Sequence, residues 1–377
     1  MQALCNGRVL IDGRFADGVA VLIDGPRITA ILPDADVPAS AERIDMAGAM
    51  LVPGFIDTQV NGGGDVLFND APNVETIRRI GLAHLRFGTT GFLPTLISDD
   101  LDVIRAGIAA VEEAIAVGVP GVLGIHIEGP YINVERKGIH PASKIRAIDE
   151  EGIAVLTSLR GGRTLVTLAP ELAGDTVIRR LTTAGIIVAA GHTAGTYVEI
   201  ASAIEAGVSG FTHLFNAMSQ LGNRDPGAVG AALVSDSTWC SLIVDGVHVS
   251  PVTLKLALRC KPLDRFVLVS DAMPTTGGTK DGFTLNGRHI RAEGGRLIDE
   301  VGTLAGADLD MLGAVRNAQL MLGIPAETAL TMASANAADF LSLGHRAGRI
   351  ALGLNASMLA IGDDWSIVAR WIDGVRY

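Results

Sequence analysis

At 377 residues, with 48% hydrophobic residues, 46 glycines and 4% aromatics, the chain has the balance of a packed, loop-rich α/β enzyme, which excludes a disordered or fibrous polymer. A formal net charge of −11 without any Lys/Arg cluster excludes nucleic acid or an anionic membrane surface as the main partner, but leaves an anionic small molecule open. Cys5, Cys240 and Cys260 are widely spaced and form no CxxC, so a disulfide framework and a zinc ribbon are both excluded and a reducing cytoplasm fits best.

The first stretch, "MQALCNGRVLIDGRF", lacks the basic-then-apolar build of a signal peptide, and no apolar run is long enough to span a bilayer. Residues 1–52 alternate apolar and polar positions between the turn signals Asp12-Gly13, Asp17-Gly18 and Asp24-Gly25-Pro26, which predicts short antiparallel strands. Residues 345–377 have the same texture, so both chain ends are expected to pair in one small β-sandwich domain, with residues 53–344 inserted between them.

Within 53–344, eight apolar runs alternate with helical segments: Gly54 to Val60, Gly91 to Ile97, Val122 to Ile127, Leu165 to Ala169, Ile186 to Ala190, Gly210 to Leu214, Ser241 to Val244 and Phe266 to Val269. Spacings of roughly 20–40 residues leave room for one helix and two loops each time, which predicts a (β/α)8 TIM-type barrel.

Barrel chemistry sits at the C-terminal strand ends, so the residues that close each run matter most. Run one ends in Gln59 and Asn61, two amides on the same side of an extended strand. Run three ends in His126 and Glu128, with His140 in the loop beyond; run five ends in His192, run six in His213 and Asn216, run seven leads to His248, and run eight ends in Asp271. Any one histidine beside an apolar strand is ordinarily a packing residue, but Glu128, His192 and His213 converging on one rim supply the His2Glu donor set of catalytic zinc. Asp271 could cap the turn into "DAMPTTGG"; as a carboxylate on the same rim it is better placed as a general base. His126 shares a side with Glu128 and its role stays open, whereas His84 in a predicted helix, His289 in a predicted hairpin, and His345 are expected to be packing or surface residues. Neither Cys240 nor Cys260 has a neighbour that would activate a thiol, and "GTTG" and "NGGG" lack a phosphate-loop frame.

The ordered set "PGFIDTQVNG", "HIEGPYI", "KGIH", "GHT", "THLFNAM", "NRDPG", "DGVHV", "SDAMP" and "GTLAGADLDM" resembles the N-acetylglucosamine-6-phosphate deacetylase family of the amidohydrolase superfamily. The resemblance implies that Glu128, His192 and His213 bind the catalytic metal and that Asp271 is the acid/base. It also implies that His140 and His248 contact the sugar, and that Asn216, the Ala217 amide and His248 hold the phosphate. Arg224 would reach in from the neighbouring subunit of a homodimer, where its planar fork of donors suits a phosphate. In that family some members carry His-x-His on strand one and two metals, others Gln-x-Asn and one; Gln59 and Asn61 place this chain with the second kind. One divalent ion per subunit is therefore expected, with Zn2+ first and Fe2+, Co2+ or Mn2+ as alternatives, and Gln59 and Asn61 either hydrogen-bond Asp271 or the bound water or serve a purely structural role. The implied reaction is hydrolysis of the acetamide of N-acetyl-D-glucosamine 6-phosphate. A dihydroorotase-like or N-acyl amino acid hydrolase usually bridges two metals with a modified lysine at strand four, but here that strand ends "TLAPE". A non-catalytic sugar-phosphate binding protein would not need Asp271 beside a full ligand set.

Overall fold

The computed structural model describes all 377 residues. Eight parallel strands follow one another around a barrel: Phe55–Val60, Thr89–Leu96, Gly124–Glu128, Arg163–Leu168, Ile187–Ala190, Gly210–Phe211, Trp239–Leu242 and Phe266–Leu268. All their residues are buried except the half-buried first residues of three strands, Arg163, Ile187 and Trp239. Strands covered on both faces must be apolar throughout, which is why these segments read as continuous runs and not as alternating ones. The seam closes where Val60 bridges Ala272, and the Asn61 and Gly62 N–H groups both donate to the Ala272 carbonyl at 2.9 and 3.0 Å. The seam thus falls beside Asn61 and Asp271.

Helices cover the barrel through one apolar face each. In Leu101–Ala116 the buried Leu101, Ile104, Ile108 and Val111 recur at helical spacing and face the strands. Ends are fixed locally: Asn73 Oδ1 accepts from Thr76 N at 2.9 Å, and Thr196 with Glu199 forms a reciprocal capping box.

Strands from both chain ends share a second sheet, in which Met50–Pro53 runs antiparallel to Met358–Ile361 with Leu51 opposite Ala360. Leu4, Val21, Ile28, Met358 and the fully buried Trp371 pack into its own core, giving a β-rich sandwich beside the barrel. The Asp12-Gly13 turn has both residues at positive φ, 48° and 74°, as the expected tight hairpin demands.

One element goes beyond the hairpin expected around His289, whose strands do pair, with Thr284 opposite His289. After the eighth strand the chain builds a four-stranded antiparallel sheet, Gly282–Leu285, Arg288–Glu293, Arg296–Ile298 and Leu304–Ala307, before returning to helix. Its short strands bury only one or two side chains each and are joined by tight Asn286-Gly287 and Gly294-Gly295 turns, so no apolar run announces it. Leu285, Ile290 and Leu297 form a small core with Ile97 and Met273, and Ala307 N donates to Asp271 O at 2.9 Å, tying the sheet to the barrel rim. No helix is long and apolar enough to cross a membrane.

Candidate active site

Three residues at the strand ends adopt a backbone conformation that L-residues rarely take: His192 at φ 48°, His213 at 34° and Asp271 at 50°. Left-handed backbone at a non-glycine residue costs roughly 1–3 kcal/mol and persists only where the surroundings enforce it. Here it turns the chain inward two or three residues past the ends of three strands, so that all three side chains enter the barrel mouth. Gly191 makes one turn possible: a Cβ there would lie 2.6 Å from Thr167 Cγ2.

Glu128 Oε1, His192 Nε2 and His213 Nε2 meet at mutual distances of 3.2, 2.9 and 3.1 Å. The residues are 3, 5 and 4% exposed, so water cannot screen the carboxylate. His192 Nδ1 faces the Arg136 carbonyl at 2.8 Å, and a carbonyl only accepts; Nδ1 therefore carries the hydrogen and Nε2 presents a lone pair to the cluster. His213 Nδ1 is buried with no partner, leaving its Nε2 as the functional atom. Two ligands about 2.1 Å from a tetrahedral zinc lie about 3.4 Å apart, close to the spacings seen here, so the donor set fits a divalent metal in chemistry and in size. Glu128 is held well below the usual carboxylate range: burial pushes it up, and the imidazoles of His192 and His213 beside it more than reverse that.

Glu128, His140 and His192 also bring donor atoms within 4.8 Å of one another. His140 is nevertheless differently committed. Its Nδ1 accepts from the Ser98 N–H at 3.2 Å and meets Ser98 Oγ at 2.7 Å, so Nε2 carries the hydrogen. Burial pushes its pKa down to about 3, which leaves a neutral imidazole with an N–H aimed across the mouth, 4.0 Å from Glu128 Oε2. His140 is a hydrogen-bond donor here, and the Nε2 of His213, not that of His140, completes the close trio with Glu128 and His192. Gly129 makes room for this arrangement, since a Cβ on it would stand 2.2 Å from Ser98 Oγ.

Asp271 faces the cluster. Burial, then the Glu128 charge, raises it to about 6, while His213, His248 and the Asn61 hydrogen bond pull it back down. Asn61 Nδ2 donates to Asp271 Oδ1 at 2.8 Å, and Gln59 Nε2 donates to the same oxygen at 3.0 Å and to Glu128 Oε1 at 3.1 Å. Both amides thus act as donors between two carboxylates, and Asp271 Oδ2 stays unengaged. Below them Asp57 is buried and raised to about 7 by desolvation, with Ser270 Oγ donating to it. His126 lies deeper in the barrel, its Nε2 2.7 Å from Thr167 Oγ1, and does not line the cavity.

The mouth opens into a cavity of about 360 Å3 lined by Asn61, Glu128, His140, His192, His213, Asn216, Ala217, His248 and Asp271, with Ile97, Ile139, Met273 and Leu304 as apolar wall. No lysine or arginine lines it, and Arg224 is exposed outside it. Phe215 and Ala217 are at φ 78° and 49°, so the loop after the sixth strand is wound to turn its backbone toward the cavity. His84 is buried, its Nε2 donating to the Gly62 carbonyl at 2.9 Å, and His289 and His345 are exposed. Sequence reasoning missed Ser98 and Asp245, whose carboxylate holds His248 Nδ1 at 2.6 Å. A serine after a strand carries no signal, whereas the Asp three positions before the histidine in "DGVHV" could have been read as its partner.

An α/β barrel that places a His2Glu donor set opposite a carboxylate at its C-terminal mouth is built as a metal-assisted hydrolase. The chain belongs to the amidohydrolase family, whose model matches residues 50–375. It is 40% identical to an N-acetylgalactosamine-6-phosphate deacetylase of Shewanella sp. strain ANA-3, over 98% of this chain and 94% of that one. It is 33% identical to an N-acetylglucosamine-6-phosphate deacetylase of Haemophilus influenzae, over 94% and 93% of the two chains. The crystal structure of N-acetylglucosamine-6-phosphate deacetylase from Pasteurella multocida superposes with a TM-score of 0.96 at 35% identity, covering 100% of this chain and 99% of that one.

Proposed function

We propose that the protein hydrolyses the acetamide of N-acetyl-D-glucosamine 6-phosphate, giving D-glucosamine 6-phosphate and acetate. The observation that carries this is the meeting of Glu128, His192 and His213 at about 3 Å, opposite Asp271 and inside a cavity of sugar size. These three residues would hold one divalent metal, for which zinc is our first choice. When bound, such an ion polarises the acetamide carbonyl and lowers the pKa of water toward ~7.

The remaining work falls to the chain. Asp271 Oδ2, the oxygen left free by Asn61 and Gln59, takes the proton of the attacking water as its oxygen bonds to the carbonyl carbon. His140 Nε2–H donates to the oxyanion that develops, and it does so as a neutral donor because Ser98 fixes its tautomer. As the C–N bond breaks, Asp271 returns the proton to the leaving nitrogen. At the far end of the cavity the phosphate would be received by the Asn216 amide, the Ala217 N–H and His248. Arg224 would complete that end from the partner subunit of a homodimer. Free Cys5, Cys240 and Cys260 suit a reducing cytoplasm.

The galactosamine epimer is a second reading, favoured by the 40% identical relative that bears its name. Acetate release from the 6-phosphates of N-acetylglucosamine and N-acetylgalactosamine tests both. Turnover of the first supports the proposal, turnover of the second alone moves the assignment to the epimer, and none from either would refute it.

A further inference from the structure

His248 stands apart from the other histidines of the cavity because its ring is clamped from behind. It follows the seventh barrel strand, three residues after Asp245, and both side chains are only 8% exposed. Asp245 Oδ1 accepts the backbone N–H groups of Val247 and His248 at 2.8 and 2.9 Å, and Oδ2 accepts from His248 Nδ1 at 2.6 Å. Both oxygens of this carboxylate are therefore engaged within one turn of chain, and the hydrogen bonds from His248 and the two amides hold it ionised against the cost of burial.

An ionised carboxylate can only accept, so Nδ1 carries a hydrogen whatever the charge on the ring. The edge left to the cavity is Nε2, which is a lone pair on the neutral ring and an N–H donor on the cation. A lone pair would repel a phosphate oxygen. To meet a phosphate oxygen, Nε2 must carry a hydrogen, and with the Nδ1 hydrogen given to Asp245 at 2.6 Å that is the doubly protonated ring, whose charge the carboxylate balances. The composition of the cavity makes this matter: no lysine or arginine of the same chain lines it, and His140, His192 and His213 are committed to the acetamide end, so His248 is the one cationic donor this chain can offer beside the proposed Arg224 of the partner subunit.

We propose that Asp245 is a positioning residue for substrate recognition, holding His248 as a cationic Nε2–H donor to the phosphate of the substrate. This rests on the reading of the cavity as a sugar-phosphate site, and it makes a carboxylate that never touches the ligand a determinant, through His248, of selection for phosphorylated over unphosphorylated sugar.

The test compares kcat/KM for N-acetylglucosamine 6-phosphate and unphosphorylated N-acetylglucosamine in wild type, D245N, H248Q and the double variant. Charge-assisted hydrogen bonds are about twice as strong as neutral ones, so D245N should lose about 10-fold on the phosphorylated substrate, mainly through KM, and under about 2-fold on the other. In the H248Q background D245N should add less than about 2-fold, because it acts through that ring. Equal losses on both substrates, or losses that multiply in the double variant, would overturn the role of Asp245 while leaving the sugar-phosphate reading intact. A wild type indifferent to the phosphate would instead overturn the reading itself. Should D245N not fold, H248Q alone must show the same phosphate-selective loss, and an equal loss on both substrates ends the proposal.

Discussion

Replacing Asn61 by leucine isolates one interaction at the barrel seam. The two side chains have nearly the same shape, Asn61 Oδ1 has no partner to lose, and the only contact removed is the Nδ2–H donated to Asp271 Oδ1 at 2.8 Å. A hydrogen bond from a neutral donor to an ionised acceptor is worth about 1.5–3 kcal/mol, but Gln59 still donates to the same oxygen at 3.0 Å, so the lower figure applies. At 1.36 kcal/mol per pH unit, the ionisation of Asp271, about 6 in the wild type, should move upward by about one unit. The sign follows from the role: the base works only when ionised, so activity is lost as pH falls through its pKa. The variant should therefore match the wild type at pH 8.5, trail it by about 5-fold at pH 6 and approach a 10-fold deficit below about pH 5. The assay is acetate release as a profile of kcat/KM against pH. An acid limb that stays in place, or moves to lower pH, refutes the claim that Asn61 supports Asp271 as a base.

Two further outcomes follow from the same geometry. Asp271→Asn should keep metal content and substrate affinity while lowering kcat by ~10²–10⁴, the usual loss with a general base, and near-normal turnover would remove Asp271 from that role. Asp57 is raised from 3.8 to about 7 by burial, so the folded protein binds a proton there that the unfolded chain releases. Its contribution to stability is thus lost as pH rises from about 4 to 7, and Asp57→Asn, which can still accept from the Gln59 and Ser270 N–H groups and donate to Ser270 Oγ, should flatten that slope. Denaturant melts of both proteins at pH 5 and pH 8 measure it, and parallel losses would show that Asp57 is already ionised at pH 5.

The barrel was legible because strands covered on both faces must be apolar from end to end, so Val122 to Ile127 and Phe266 to Val269 stand out without any motif. The donor set was legible for a related reason: histidine and glutamate at the ends of such runs interrupt an apolar pattern. What could not be read was orientation. That His192, His213 and Asp271 turn inward through positive φ, and that Ser98 fixes His140 as a donor, depend on contacts between segments far apart in the chain. Beyond the hairpin around His289, the antiparallel sheet between Gly282 and Ala307 escaped because its short strands bury few side chains each, and only with Ile97 and Met273 do they form a core. Gln59 and Asn61 were expected to hydrogen-bond Asp271 or the bound water, or to be purely structural; the link from Gln59 to Glu128 as well, which ties base to metal donor, needed coordinates.

Metal content by elemental analysis of wild type, H192A and H213A, each checked for native circular dichroism, tests the central claim most directly. The account predicts one divalent ion per wild-type chain and close to none in either variant, because two donors cannot replace the three that meet around Glu128. Two ions per wild-type chain, or a full complement retained without His213, would contradict it.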